Sequence, residues 1–336
     1  DTNLNALQSS HTSPTPRFGG IAILISAATF SLFSPEGLKG ELLLAIFPIF
    51  LIGLREDIGT HSSPKIRLLV ASISAVLGIY FYDAWLSNID TPGLDWILSY
   101  NIFGILFTVF AIVGLVNAIN LIDGVNGLAC GQVMISSLAI YFISSKVNDT
   151  GISSLALIIF FSTLGLFLVN FPFGIIFVGD AGAYTLGFLL AWMLVLLSHR
   201  HPEISDWALL AVIFWPVMET ISAIFRRRIN RTSPDKPDRL HFHQLIMRAW
   251  QAFSKGKISK RAANPLATVT IVPFASAPVL GGVVFCYNSG ISAAIVILSS
   301  IAFSMSYLTL IFILRDRQSR RFIDQRLKSV YRALFL

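Results

Sequence analysis

The segment NIFGILFTVFAIVGLVNAINLIDGVNG (residues 101–127) runs from strongly apolar to polar within one stretch of chain. Its apolar half (101–116) is typical of a membrane-spanning helix. In its polar half, Asn117, Asn120 and Asp123 recur at three-residue steps, which places them roughly along one helical face, and the glycines that follow let the backbone turn close to a ligand. We infer that a helix leaves the membrane here to present amides and a carboxylate to a water-soluble ligand.

The whole chain repeats this apolar character. It has 336 residues, of which 54% are hydrophobic and 13% charged, and its mean hydropathy is +0.72, which excludes an ordinary soluble domain. We predict an all-α, polytopic integral membrane protein with about ten transmembrane helices. These are expected near residues 19–33, 42–54, 68–86, 101–116, 131–144, 152–170, 184–197, 207–225, 266–286 and 291–314.

The predicted organisation is a single multi-helix transmembrane domain (1–314) with a large cytoplasmic loop (226–265). A basic, amphipathic tail (315–336) is expected to lie on the inner leaflet, with a solvated tail as the alternative. The sequence begins at Asp1 without a methionine or a signal-peptide pattern, so an upstream piece, such as another helix, is expected.

The basic residues orient the chain in the membrane. With a cytoplasmic N-terminus, all of the 25 Lys and Arg residues except Lys39, Lys146 and Arg200 fall on the cytoplasmic side. Most of the net charge of +7 lies in two juxtamembrane segments, 226–265 and 315–336, where it would face anionic lipid. We therefore expect membrane lipids, and no nucleic acid, as partners.

Five polar segments, far apart in the sequence, fall on this same cytoplasmic side. They are PTPRFGG (14–20), REDIGTHSSPKIR (55–67), NAINLIDGVNG (117–127), NFPFGIIFVGDAGAY (170–184) and RTSPDKPDRLHFHQL (231–245). Their common location predicts an active site at the inner membrane surface.

Four acidic residues lie at or near the predicted helix ends: Glu56, Asp57, Asp123 and Asp180. A carboxylate in low-dielectric surroundings is costly, which favours a functional role. Mg²⁺ takes one or two carboxylates and completes its shell with water and substrate phosphates, so a diphosphate substrate fits this set. The alternative for each acid is that it caps a helix N-terminus or pairs with a nearby Lys or Arg.

Two histidines follow a proline-rich turn. His241 and His243 are two residues apart and lie beside Arg239, a cluster that can bind phosphate through charge-assisted hydrogen bonds. A zinc site is the rival interpretation, but two histidines without a nearby cysteine leave it incomplete.

The motifs PTPRFGG, GLREDIG followed by SPKIRLL, NAINLIDGVNGLA, FVGDAGAYTLGF and SPDKPDRLHFHQL resemble, in this order, those of the polyprenyl-phosphate N-acetylhexosamine-1-phosphate transferases. The resemblance covers nearly the whole chain. It implies a multi-pass enzyme of the bacterial inner membrane, with its active site facing the cytoplasm. Such an enzyme uses Mg²⁺, with Mn²⁺ as an alternative, to move a sugar-1-phosphate from a UDP-sugar to undecaprenyl phosphate. UMP is released, and a lipid-linked glycan of the cell-wall or O-antigen type begins. Homodimers are common among such proteins, although no residue pattern here indicates one.

The resemblance also assigns roles to single residues. Those in the catalytic set are Glu56, Asp57, Asn120, Asp123, His241 and His243. Metal binding is assigned to Asp180 together with Asp123. The substrate contacts are a phosphate contact at Lys65 and uridine contacts at Asn126, Asn170 and Phe177, beside the phosphate-binding cluster that includes Arg239.

Two questions stay open from the sequence. The first is the mechanism: we favour direct attack of the lipid phosphate on the UDP-sugar, and the alternative is a covalent intermediate on Asp123 or Asp57. The second is the identity of the sugar. The chain also departs from the usual pattern, with Glu56 in the acidic pair, an acid at Glu219 and GDAGAY in place of a GDSGS-like segment. The His-Phe-His pattern resembles the GlcNAc branch, which favours UDP-GlcNAc or another UDP-N-acetylhexosamine.

A transporter with the same helices is the alternative class of function. Transporters bury coupling charges near the membrane midplane on broken helices, and Glu219, preceded by Trp215 and Pro216, is the candidate for such a charge.

Overall fold

The computed structural model describes residues 15–33, 40–229, 240–255 and 257–315. This part of the chain is all-α, with no strand among the described residues, which confirms the predicted class. Its helices in chain order are α1 (Gly19–Phe33), α2 (Gly40–Asp57), α3 (Pro64–Tyr82), α4 (Pro92–Leu98), α5 (Asn101–Ile122), α6 (Leu128–Lys146), α7 (Thr150–Asn170), α8 (Gly179–Arg200), α9 (Asp206–Val212), α10 (Phe214–Ile229), α11 (Phe242–Phe253), α12 (Lys260–Val284) and α13 (Ser289–Arg315).

Every predicted span coincides with a helix or with the α9–α10 pair, but the number of ten is not confirmed. Seven of the described helices are long and apolar enough to cross a membrane (α3, α5, α6, α7, α8, α12 and α13), and the bent α9–α10 pair would be an eighth. Helix α1 falls short because only 15 of its residues are described. Helix α2 falls short because its 18 residues include Glu41, Arg55, Glu56 and Asp57.

Short polar residues start several of these helices. The Ser63 hydroxyl accepts a hydrogen bond from the Ile66 amide, directly before Pro64 at the first position of α3. The Asp149 carboxylate accepts one from Ile152 at the start of α7. Such side chains satisfy amide groups that a helix N-terminus leaves without a carbonyl, so the sequence itself specifies where these helices begin.

The chain bends by 81° between α9 and α10. Pro216 has no amide hydrogen, so it cannot make the helical hydrogen bond to the carbonyl of Val212, four residues earlier. The hydroxyl of Ser136, from α6, donates to that carbonyl at 2.8 Å instead. A break inside an apolar bundle is tolerated when a neighbouring side chain satisfies the freed group in this way.

Helix α8 lies at the centre of the bundle, where Ala181–Leu197 are all buried. Glycines let its neighbours approach its backbone. A Cβ atom on Gly53 of α2 would lie 2.4 Å from the Ala181 Cα atom, and one on Gly187 would lie 2.7 Å from the Val116 Cα atom of α5. Small residues therefore set the spacing between α8 and the helices on either side.

Two helices were not predicted, because neither is a long apolar run. Helix α4 precedes α5, and α11 lies within the predicted cytoplasmic loop (226–265). Residues 316–336 of the predicted amphipathic tail lie outside the described residues, and the boundary at residue 314 stays a prediction.

The close approach at Gly53 generates a stability prediction. Gly53→Ala should destabilise the protein by about 1–3 kcal/mol, because the added methyl group meets main-chain atoms of α8 that cannot rotate away. The matched control is Gly165→Ala in α7, where an added Cβ meets no atom within 4 Å. Unfolding in detergent micelles, followed by intrinsic fluorescence, measures both. Equal stability of the two variants would contradict this account of the α2–α8 contact.

Candidate active site

The acidic end of α2 caps the N-terminus of α8. One oxygen of the Asp57 carboxylate accepts a hydrogen bond from the Asp180 amide (2.8 Å), and the other accepts one from the Ala181 amide (2.9 Å). Gly179 has a φ of +74°, and a Cβ there would lie 2.6 Å from an Asp57 carboxylate oxygen. Glycine is thus needed both for the backbone conformation and for the space. The capping alternative holds for Asp57, and this cap places Asp180 in the first turn of α8.

The adjacent acid, Glu56, points elsewhere. Its buried carboxylate accepts a hydrogen bond from the Ser62 amide, and its other oxygen lies 3.6 Å from Nδ1 of His61. Glu56 therefore closes the loop between α2 and α3, so the two neighbouring acids have different structural roles.

The side chain of Asp180 faces α5. Its carboxylate accepts a hydrogen bond from Nδ2 of Asn120 at 2.5 Å, and its other oxygen lies 3.9 Å from Nη1 of Arg17. Asn120 and Asp180 are 60 residues apart in the sequence, so the structure brings the NAINLIDGVNG and FVGDAGAY segments together.

Asp123 completes a group of carboxylates. It follows the last residue of α5, and its amide donates to the Asn120 carbonyl (3.2 Å). Burial raises the pKa of the Asp123 carboxyl well above its usual range, and the nearby carboxylates of Asp180 and Asp57 raise this pKa further, while Arg17 lowers it. A site that concentrates acids in this way favours a bound cation, which would relieve their repulsion.

The N-terminal PTPRFGG segment packs on the loop before α8. The Phe177 amide donates to the Pro16 carbonyl (2.9 Å), and the Gly19 amide donates to the Phe177 carbonyl (3.1 Å). These two backbone bonds hold Arg17 beside Asp180. Phe177 itself is half-buried in this position.

The two histidines share one buried acid, Glu219 of α10. Its carboxylate oxygens lie 3.8 Å from Nδ1 of His241 and 3.5 Å from Nδ1 of His243. The same carboxylate accepts hydrogen bonds from the amides of Phe242 (3.2 Å) and His243 (3.4 Å) at the start of α11. A carboxylate that faces Nδ1 favours the proton on that nitrogen and leaves Nε2 for a ligand. The rings are nearly parallel, with 6° between their planes.

His243 lies directly against the turn that follows Asp123. A Cβ atom added to Gly124 would lie 2.5 Å from Nε2 of His243. Glycine at this position lets the imidazole rest against the main chain next to Asp123. One site therefore contains both the histidine pair and the acidic side chains of Asp57, Asp123 and Asp180.

Two asparagines with predicted uridine contacts connect the loops of the site. The Asn126 amide donates to Oδ1 of Asn264 (2.7 Å), and Nδ2 of Asn126 donates to the Pro172 carbonyl (2.8 Å). Thr268 of α12 donates to the Asn126 carbonyl at 2.6 Å. Among the described residues, no hydrogen-bond partner reaches Oδ1 of Asn126, which is buried.

Asn170, which is also buried, uses both ends of its amide on the backbone. Its Oδ1 accepts from the Gly127 amide, and its Nδ2 donates to the Ile176 carbonyl at 2.7 Å. Asn170 therefore positions the loop that carries Phe177. Its predicted contact with uridine stays a prediction.

Two predicted substrate contacts remain, Lys65 and Arg239. Lys65 is exposed in the first turn of α3, and Arg239 lies outside the described residues. Sequence reasoning did not assign site roles to Arg67, which donates to the Tyr184 hydroxyl (3.4 Å) and interacts electrostatically with Glu56, or to Asn264. The available signals were the place of Arg67 in the polar segment 55–67 and a lone amide in an apolar helix at Asn264.

The carboxylates fit the Mg²⁺ that the sequence predicts. No group of three or more His, Cys, Asp or Glu side chains arranged for a metal occurs within the described ranges. Mg²⁺ does not need such a group, because one or two carboxylates plus phosphate oxygens suffice. Asp123 and Asp180, which interact electrostatically, are suitable donors.

Comparison with known proteins supports the family that the sequence motifs indicate. The family described as glycosyl transferase family 4 matches residues 41–198, from α2 to α8, which contain the carboxylates but not the histidines. The chain is 32% identical over 250 residues to the undecaprenyl-phosphate alpha-N-acetylglucosaminyl 1-phosphate transferase of Pasteurella multocida, covering 71% of this chain and 69% of that protein. Identity to the protein of the same name from Haemophilus influenzae is 30% over 250 residues, with the same coverage. For Escherichia coli (strain K12) it is 29% over 249 residues, covering 71% and 67%.

The Glu219 cluster generates a second stability prediction. Glu219→Ala should cost about 3–5 kcal/mol, because it removes the buried carboxylate that two amides and two imidazoles face. The control is Glu203→Ala, which removes a half-exposed acid lying 3.5 Å from Nδ1 of His201 and should change stability by less than about 0.5 kcal/mol. Denaturant titration in micelles compares the two. A small effect at Glu219 would show that the carboxylate does not hold α11 in place.

Proposed function

The chain belongs to glycosyl transferase family 4, the polyprenyl-phosphate N-acetylhexosamine-1-phosphate transferases, and we propose that it transfers N-acetylglucosamine-1-phosphate, or another N-acetylhexosamine-1-phosphate, from a UDP-sugar to undecaprenyl phosphate. UMP is released, and the lipid product begins a glycan of the cell-wall or O-antigen type. The observation that carries the proposal is the contact of His243 with Gly124, because it joins the histidine pair to the carboxylates in one site.

The site is proposed to face the cytoplasm of a bacterial inner membrane. The site is built from parts of all five polar segments, which are the ones that the distribution of Lys and Arg assigns to the inner side. A UDP-sugar is water-soluble and undecaprenyl phosphate is a membrane lipid. A site at the helix ends allows both to reach it. Homodimer formation stays a prediction.

Mg²⁺ would be held by Asp123 and Asp180, with Mn²⁺ as the alternative ion. When bound, the ion would neutralise charge on the diphosphate. The supporting observation is the raised pKa of the Asp123 carboxyl beside two further carboxylates. Asn120 orients the Asp180 carboxylate through its hydrogen bond.

We favour direct attack of the lipid phosphate on the sugar diphosphate. An oxygen of the acceptor phosphate bonds to the β-phosphorus, and the bond from that phosphorus to the UMP oxygen breaks. Both Asp57 oxygens already accept N–H groups of α8, which makes this carboxylate a poor nucleophile and weakens the covalent alternative there. A covalent intermediate on Asp123 remains the alternative.

The histidine pair stabilises charge on the diphosphate in this proposal. Glu219 faces both Nδ1 atoms, so each ring presents Nε2 toward the substrate side. Arg17, beside Asp180, adds positive charge next to the carboxylates. Positioning of two anions against each other is then the main catalytic task, because a lipid phosphate is ionised without a strong base.

Substrate contacts at Lys65, Asn126, Phe177 and Arg239 complete the proposal. The buried Oδ1 atom of Asn126 is a suitable acceptor for an N–H group of the uracil ring. Asn170 would act indirectly, by positioning the loop that carries Phe177, since both ends of its side-chain amide bind main-chain groups.

The transporter alternative loses its main support. It depended on Glu219 as a coupling charge on a broken helix. Glu219 does lie just beyond the α9–α10 bend, but it binds the N-terminus of α11 and faces two histidines there.

Enzyme in lipid nanodiscs should release UMP from one UDP-sugar, with undecaprenyl phosphate as the acceptor, only when Mg²⁺ is present. Asp123→Asn and Asp180→Asn should each lower the rate at least about a hundredfold, because each removes charge from the proposed metal site. Asp83→Asn, an exposed residue at the far end of α3, serves as the control and should keep the wild-type rate. Release that persists with a chelator would exclude the metal, and no release from a panel of UDP-sugars would exclude the transferase.

Direct attack predicts that no UMP appears when acceptor lipid is withheld. A rapid-quench experiment with radiolabelled UDP-GlcNAc, at enzyme concentrations high enough to detect one turnover, checks this. A burst of UMP equal to the enzyme concentration, with label retained on the protein, would instead establish the covalent intermediate.

A further inference from the structure

Helix α13 reaches the histidine pair through one hydroxyl group. The Tyr307 hydroxyl donates to the carbonyl of Leu240 at 2.9 Å. Nη1 of Arg226, from α10, donates to the same hydroxyl oxygen at 2.9 Å, and the guanidinium lies 5.7 Å from the Tyr307 ring centroid. Leu240 is the residue directly before His241, so this hydroxyl binds the main chain at the entrance to the His-x-His motif.

An aromatic cluster fixes the residue between the two histidines. The Phe242 ring lies 5.0 Å from the Trp215 ring and 5.0 Å from the Phe303 ring, measured between centroids, and 6.2 Å from the Tyr307 ring. Phe303 and Tyr307 are one turn apart on α13. The same helix therefore contacts both the main chain before the motif and the side chain within it.

Segment 240–243 is consequently held from two sides. Glu219 accepts hydrogen bonds from the amides of Phe242 and His243. The Tyr307 hydroxyl donates to the carbonyl at the other end of the segment. With an amide contact at one end and a carbonyl contact at the other, the peptide planes between them have little freedom to rotate. The directions in which the two imidazole rings leave the backbone are then set.

We propose that Tyr307 is a positioning residue, which acts through the main chain of Leu240 to orient His241 and His243 toward the substrate diphosphate. This inference rests on the proposed transferase function. Tyr307 belongs to α13, the least buried of the seven apolar helices, and its hydroxyl binds main chain next to the histidines. Its effect is geometric, since a small displacement of a group that contacts the reacting centre lowers the rate strongly.

The experiment uses Tyr307→Phe, which removes the hydroxyl and keeps the ring that packs on Phe242 and Phe303. The matched control is Ser306→Ala, which removes a hydroxyl from the adjacent residue of the same helix. The Ser306 hydroxyl donates to the Ala302 carbonyl, within α13 itself. Both variants are studied as full chains in lipid nanodiscs.

The first measurement does not depend on activity. Amide hydrogen exchange, read by mass spectrometry on peptides that span residues 240–249, should be several-fold faster in Tyr307→Phe than in the wild type. Ser306→Ala should exchange at the wild-type rate. Unchanged exchange in Tyr307→Phe would overturn the proposal, because the hydroxyl would then not hold the segment.

The second measurement separates positioning from general destabilisation. Tyr307→Phe should lower kcat for UMP release by about tenfold, the effect of one lost hydrogen bond on a catalytic group, and Ser306→Ala should leave kcat unchanged. In a background that carries both His241→Gln and His243→Gln, which disables the two groups that Tyr307 positions, Tyr307→Phe should change kcat by less than about twofold.

A full tenfold loss in the background that lacks both histidines would overturn the proposal, because Tyr307 would then act independently of them. A wild-type enzyme that releases no UMP would remove the proposed function. Hydrogen exchange would still decide in that case whether the Tyr307 hydroxyl holds the 240–243 backbone.

Discussion

The site depends on the two hydrogen bonds that the Asp57 carboxylate accepts from the first amides of α8. They fix the end of α2 to the start of the central helix. Because α8 is buried along most of its length, its position then sets those of its neighbours. Asp180, one residue inside α8, is thereby held where Asn120 and Arg17 reach its carboxylate. A capping interaction that would be ordinary in a soluble protein here aligns the ends of α2, α5 and α8 that carry the carboxylates.

The site consists of two parts that meet at one glycine. The carboxylates come from α2, the end of α5 and the start of α8, whereas the histidines depend on α10, α11 and α13. Only the first part lies within the range that matches the family. His243, from the second part, lies against Gly124, next to Asp123 of the first part. Chemistry that needs a metal on one side of a diphosphate and hydrogen-bond donors on the other requires both parts at a fixed separation.

The sequence predicted the positions of the spanning helices well, but it did not predict which side chains of different helices contact each other. Long apolar runs identify spanning helices because burial in lipid demands them, so the positions of the predicted spans agree with the structure. Helix α11 was missed because its apolar residues cover only one face of a short helix. The sequence indicated the importance of His241 and His243 through their spacing. It did not indicate their shared contact with Glu219, which lies 22 and 24 residues earlier in the chain, on another helix. The roles of the buried asparagines in joining loops are likewise products of tertiary packing.

Most bonds that frame the site are made to main-chain atoms. Asp57 and Glu219 accept from backbone amides, Asn170 binds an amide and a carbonyl, and Tyr307 binds a carbonyl. A hydrogen bond to a main-chain amide or carbonyl depends on the backbone conformation and not on the side chain of the residue that supplies this group. The amides of Asp180 and Ala181 would remain available to Asp57 if either side chain changed. A residue that contributes only an amide or a carbonyl to the site can therefore be substituted without loss of its hydrogen bond, provided that the new side chain fits the space.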